Sequence, residues 1–235
     1  MLLSAIVVVL IIAGAIHWWY PGQLAWAAGL VSMLTILLAV DLILGPALTF
    51  LVYKPGKKSL VFDLSVIAAF QIAALVFGVS SIYQARPVYL AFVVDRFETV
   101  AAADLEEEML AEAAPEFQSL PSNGPRWVGV ELPTDPREAE ELLMAESMHG
   151  TGPELIPRYY RPYEQAVQLQ KSRPVSELES YNDKEEVARK IDGLANRRDR
   201  LRFFPLAGRD RDLTVLVTAD SGTVVDIVDL RPWAP

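Results

Sequence analysis

The 235-residue chain has no cysteine and only two histidines, and its first 85 residues hold just five charged side chains: Asp41, Lys54, Lys57, Lys58 and Asp63. The missing cysteine excludes disulfides, thiolate nucleophiles and Cys-based zinc or iron-sulfur sites, and suits an exported domain that folds without oxidative help. The missing charge is the stronger signal. The five residues sum to +1, whereas the whole chain carries −9, so residues 86–235 carry −10. That acidic half has no basic face to hold a phosphate backbone, which argues against a nucleic-acid partner. An apolar fraction of 52% with 22% charged residues is an ordinary average that conceals two unlike halves. A nearly neutral apolar half joined to an acidic half reads as a membrane anchor carrying a soluble domain.

The expected division is an anchor over residues 1–85 and an α+β domain over 86–235. Residues 1–19 (MLLSAIVVVLIIAGAIHWW) form a first span, about long enough to cross roughly 30 Å of hydrocarbon at 1.5 Å per residue. Trp18, Trp19 and Tyr20 then supply an aromatic belt, His17 is interfacial, and Pro21-Gly22 turns the chain. A second span runs over about 24–53, interrupted by Asp41 and Gly45-Pro46, and a third over 60–83. A cleaved signal peptide ending near Ala13-Gly14-Ala15 is the alternative for span one, but the charged segment that normally precedes such a core is missing. Lys54, Lys57 and Lys58 all lie between spans two and three, so the positive-inside rule places that loop and the N-terminus in the cytoplasm and residues after Arg86 outside.

Asp41 is the ionisable group deepest in a span, where a carboxylate costs at least about 2.5 kcal/mol and so must face protein or water. Two readings stay open for it. It is a proton or partner site, or it is a hydrogen-bonding carboxylic acid that satisfies backbone loosened by Gly45 and Pro46. Asp63 complements the start of span three after Ser59. Ala69, Ala73, Ala74 and Gly78 have the small-xxx-small spacing that lets a second helix approach closely.

In the soluble half, Val88–Val100 (VYLAFVVDRFETV) and Arg126–Leu132 read as strands, and Asp104–Ala113 reads as a short acidic helix. Thr134 or Asp135 caps a helix that ends at Gly150, and residues 151–162 form a proline-rich loop with a tyrosine- and arginine-bearing surface. A further helix starts at Ser176 or Asp183 and ends at Ala195, a charged turn covers 196–200, and Leu201–Leu206 is a strand. Leu213–Thr218 and Thr223–Leu230 flank Ala219-Asp220-Ser221-Gly222 as a β-hairpin. The sum is a small, mostly antiparallel sheet with helices.

Chemistry is hard to find in this half. There is no Ser/His/Asp set, HExxH, phosphate loop or calcium loop, and His149 falls at a helix end. Asp210, Asp212 and Asp220 are interleaved with Arg209 and Arg211, which would repel a metal. The expectation is a protein that is not an enzyme and has no catalytic, cofactor or metal residues.

Four segments together resemble one family, the TfpX/TfpZ type IV pilin accessory proteins: DLILGPALTFLVYKPGKKSLVFDLSVIAAFQ (Asp41 to Gln71), YQARPVYLAFVVDRF (Tyr83 to Phe97), RPYE (Arg161 to Glu164) and LTVLVTADSGTVVDIVDLRPW (Leu213 to Trp233). The resemblance implies a multi-pass protein of the bacterial inner membrane with a periplasmic domain, assisting assembly or surface display of the major pilin. It makes the major pilin and the lipid bilayer the expected partners. Arg86, Pro87, Asp95, Arg96, Arg161 and Tyr163 become candidates for a structural or partner surface. The chain departs from the family pattern in lacking basic residues ahead of span one, which suggests a misassigned start or a weakened anchor. Without a prepilin-type leader, it does not read as a pilin itself. An assembly factor for another secreted polymer, or a sensor or transporter subunit with Asp41 as a ligand, are the alternatives; a homo-oligomer is left open.

Overall fold

The apolar run after Ser59 becomes a single helix, α5 (Leu60–Gln84), with the Ser59 hydroxyl donating to the Asp63 carboxylate at 3.2 Å. The computed structural model describes residues 2–39, 43, 45–52, 59–192 and 200–234. Among them, α5 is the one helix both long and apolar enough to cross a membrane. Helix α1 (Leu2–Trp18) has 17 residues, about 25 Å at 1.5 Å per residue.

The expected second span is not one helix. It holds α2 (Leu24–Ala27), α3 (Leu30–Ala39) and α4 (Gly45–Val52), and α3 and α4 both lie against α5. The break between α2 and α3 is at Gly29, where φ is +76° and a Cβ would stand 2.9 Å from a carboxylate oxygen of Asp210. Leu24 and Ala27 of α2 are buried with Phe204, Leu206 and Leu213 of the sheet. The apolarity of residues 24–28 therefore answers to packing against protein. Asp41, Lys54, Lys57, Lys58 and residues 193–199, which include most of the charged turn expected over 196–200, lie outside the described residues.

The sheet is larger than the sequence suggests and mixed. Its strands are β1 (Pro87–Val93), β2 (Arg96–Ala101), β3 (Arg126–Val130), β4 (Tyr160–Pro162), β5 (Arg173–Pro174), β6 (Leu201–Ala207), β7 (Leu213–Thr218) and β8 (Val224–Val228). Their order is β4-β3-β1-β2-β6-β7-β8, with β5 also on β6. The β1–β3 and β2–β6 pairs are parallel, and the other pairs are antiparallel.

The run over 88–100 is a hairpin rather than one strand. It turns at Val94 and Asp95, with Val94 at φ +57° and Asp95 N–H donating to the Val93 carbonyl at 2.6 Å. A β-branched residue in the left-handed region costs on the order of 1–2 kcal/mol, and such turns normally carry Gly, Asn or Asp there. No glycine marks this turn, so its sequence looks like uninterrupted strand.

Strand β1 is buried on both faces, as its continuous apolar run demands. Tyr89 and Ala91 face one cluster with Val100, Phe117, Val128 and Leu142, while Leu90 and Phe92 face another with Phe97, Phe204 and Val215. The register shift between Pro87 and Tyr89 makes Val88 an extra residue and turns it toward the first cluster. Phe97 is the hub of the second, with ring centroids 4.9 Å from Trp127, 5.3 Å from Phe92, 5.5 Å from Tyr163 and 6.0 Å from Phe204.

Around the sheet lie α6 (Glu107–Ala111), α7 (Pro136–His149), α8 (Tyr163–Ala166) and α9 (Lys184–Asp192). Helix α7 follows its sequence signals closely. Asp135 accepts from Arg137 N–H at 2.9 Å and Glu138 N–H at 3.2 Å, Pro136 occupies the first turn, and Gly150 closes the helix at φ +68°.

Phe97→Ala is expected to lower unfolding stability by about 3–5 kcal/mol, read by denaturant titration followed through tryptophan fluorescence. Gly29→Ala is expected to cost at least about 1 kcal/mol and to expose the α2–α3 segment to limited proteolysis, while the β1–β2 hairpin keeps its protection.

Candidate functional site

Arg86 and Pro87 stand where α5 hands over to β1. Arg86 is buried, its guanidinium lies 3.7 Å from the Tyr83 ring centroid, and Nη1 donates to the Tyr83 carbonyl at 2.6 Å. A cation at a helix C-terminus meets the unpaired carbonyls and the negative end of the helix dipole there. Its backbone carbonyl accepts from Ala102 N–H at 3.0 Å, tying α5 to the end of β2, and Pro87 opens β1, where a missing N–H is tolerated.

The segment between α1 and α2 docks at the same end of α5. The buried Tyr20 hydroxyl donates to the Ile82 carbonyl at 2.8 Å, and Trp19 packs edge-on to Tyr83 at 5.0 Å. Gly124 N–H donates to the Trp18 carbonyl at 2.7 Å, Asp210 N–H to the Ala27 carbonyl at 2.9 Å, and the Ser32 hydroxyl to the Asp210 carboxylate at 2.8 Å. Sequence reasoning assigned residues 24–28 to the bilayer and overlooked this clamp; the signal that marks it is Gly29 inside an otherwise helical apolar run.

Beside the clamp lies a groove of about 920 Å³, lined by Gln23 and Leu24, by Leu90, Trp127 and Tyr163, and by the β7–β8 hairpin around Ile227. Tyr163 is buried, and its hydroxyl donates to the Gly222 carbonyl at 2.9 Å, pinning the hairpin turn to α8. Burial pushes its phenol well above the usual range, so it remains a donor. No group of three or more metal-ligating residues occurs among the described residues.

The remaining candidates are dispersed. Arg161, on β4, pairs with Glu131 at 2.8 Å. Asp95 and Arg96 lie at the other end of the β1–β2 hairpin from Arg86, with Arg96 Nε on Glu98 at 2.7 Å. On α5, Ala69 and Ala73 fall on the exposed face among Phe62, Phe70, Val76 and Phe77, whereas Ala74 and Gly78 are half-buried. Gly45 and Pro46 open α4. The structure thus brings Arg86 and Pro87 together, and Asp95 and Arg96 together, but does not gather the candidates into one site.

No family model matches the chain, and no solved structure matches it. Three proteins of Dichelobacter nodosus are similar to it in sequence. The fimbrial assembly protein of serogroup I is 32% identical over 142 residues, covering 59% of this chain and 54% of the relative. That of serogroup E1 is 33% identical over 131 residues, covering 54% and 51% respectively. The chain therefore spans about half the length of these two relatives. The fimbrial assembly protein of serogroups C1 and C2 is 31% identical over 114 residues, 47% of this chain and 87% of that protein. With most of that third relative matched at this identity, the chain belongs to the family of fimbrial assembly proteins.

Proposed function

We infer that this chain is a non-enzymatic accessory factor of type IV pilus assembly, of the TfpX/TfpZ kind, that holds newly inserted major pilin in the bacterial inner membrane before it enters the fibre. The observation that carries this reading is the free face of α5, where Phe62, Phe70, Ile72 and Phe77 are 71%, 71%, 63% and 75% exposed. Ala69 and Ala73 lie four residues apart within that face, so a second apolar helix can approach the backbone while the phenylalanines pack around it. A pilin offers an apolar helix followed by a globular head. A holder for it needs a helical surface in the bilayer and a rigid platform at its edge.

The connection from Gln84 to Pro87 is too short to act as a flexible tether, which favours such a platform. The clamp from Trp18 to Ser32 meets the sheet at the C-terminal end of α5, and α5 enters from the lysine-bearing segment at its other end. That arrangement supports a cytoplasmic Lys54–Lys58 loop and a periplasmic sheet. Asp41 serves in this reading as a structural hydrogen-bonding group between helices.

Replacing Ala69 and Ala73 together by leucine is expected to reduce major pilin recovered by crosslinking from native membranes roughly tenfold, about 1.4 kcal/mol of association. Both positions are exposed, so thermal stability stays unchanged; full pilin recovery from the double variant at normal abundance would remove α5 as the contact. Asp41→Asn is expected to preserve piliation, counted by electron microscopy. Loss of pili at normal protein level would assign an ionised role to Asp41 instead.

A further inference from the structure

A second apolar surface lies far from the junction, at the strained turn of the β1–β2 hairpin. Val94 and Leu132, each 42% exposed, and Leu143 of α7, 63% exposed, edge a cavity of about 360 Å³, and Met144 and Met148 extend the apolar exposure along α7 at 58% and 70%. Leu142 beside them is buried in the core, so the helix is anchored and the exposed side chains are not merely loose. Val94 keeps its isopropyl group at this edge despite its left-handed backbone. Strain of this kind persists where surrounding structure imposes it, and it concentrates at binding sites.

Four carboxylates, Asp95, Glu98, Glu146 and Glu154, line the same cavity, against the single arginine Arg96. Burial raises the pKa of Glu98 and of Glu154, Glu146 pushes both further, Glu98 adds to the shift of Glu154, and Arg96 opposes the shift in both. Asp212 adds to the negative field on Glu98. The cavity is thus short of positive charge as well as open to apolar contact.

These features decide between occupants. A second copy would set α7, with Glu138, Glu140, Glu141 and Glu146 against the single arginine Arg137, beside another acidic helix. A bilayer would present anionic headgroups, and the turn lies at the opposite end of β1 from the α5 exit, about 20 Å away along a seven-residue strand. Neither fits. A protein segment with apolar side chains flanked by lysine or arginine satisfies both requirements.

We propose that the Val94 turn and the exposed face of α7 form a docking surface for a basic, apolar-tipped segment on the globular head of the fimbrial subunit. The surface deepens the accessory reading given above and rests on it. The subunit's helix is held by α5 while its head is steadied at this separate place.

The test uses the full chain in nanodiscs and the soluble head of the major pilin from the same organism, with its apolar helix removed. The head is expected to bind, more weakly as salt increases. Leu143→Asp and, separately, Glu146→Lys are each expected to weaken binding at least tenfold with unchanged melting temperature, both side chains being exposed. The Ala69 and Ala73 leucine variant should bind the head normally. Failure of the head to bind while intact pilin is still captured would overturn this surface and leave the α5 reading standing; failure of both would overturn the accessory reading itself. Head binding unaffected by either α7 substitution would also overturn the proposal. So would concentration-dependent dimerisation abolished by Leu143→Asp, which assigns the face to a second copy, or α7-dependent binding to phosphatidylglycerol vesicles, which assigns it to lipid.

Discussion

Two residues, Ala85 and Arg86, separate the end of α5 from the start of β1, and the arrangement of the rest of the chain depends on that short connection. A tether of this length leaves the sheet little freedom relative to the helix, provided the junction itself does not hinge. Contacts from three directions prevent hinging. Arg86 closes the end of α5 and its carbonyl receives Ala102, Tyr20 donates to Ile82 one turn back, and Asp210 receives Ser32 while its N–H reaches Ala27. Each is a modest interaction of about 1 kcal/mol, but they act on different elements, so motion about the junction breaks several at once.

How much of this was legible follows from which signals are local. Helix α7 announces itself through Asp135, Pro136 and Gly150, and the β7–β8 hairpin through alternating apolar residues around a glycine-bearing turn; both are as the sequence predicts. The separation of α2 from α3 was illegible because Leu24 and Ala27 are apolar for the sake of Phe204, Leu206 and Leu213, which lie about 180 positions along the chain. Hydropathy registers that a side chain avoids water and cannot distinguish lipid from a protein core. The β1–β2 turn was illegible for the opposite reason: Val94 adopts a conformation its side chain disfavours, so propensity argues against the turn. The parallel β1–β3 and β2–β6 pairs join segments separated in sequence by other strands and helices and leave no local trace.

The candidate residues divide along the same line. Arg86, Pro87 and Tyr163 occupy structurally demanding positions, two at the junction and one pinning the β7–β8 turn. Asp95 and Arg96 were singled out within a segment read as strand, and only the hairpin places them beside α7. The two exposed apolar surfaces also differ in kind. The face of α5 is uncharged and suits a setting without water, whereas the α7 face is interrupted by carboxylates and suits a wet interface where charge selects among partners.

Charge is distributed along the soluble half in a way that bears on its orientation. Arg86 stacks on Tyr83 at 3.7 Å and Arg211 faces the Trp26 ring at 5.8 Å, so two cations sit over aromatic rings at the helix-bearing end, with Arg209 nearby in sequence. Glu98, Glu146 and Glu154 gather near the other end, within a half that carries −10 overall. Beside an anionic membrane, this polarity draws the arginine end inward and repels the acidic end, a torque in the same sense as the constraint imposed by the short connection. On the proposed reading, the acidic composition that counts against nucleic-acid binding would also turn the α7 face away from lipid headgroups and toward a protein partner.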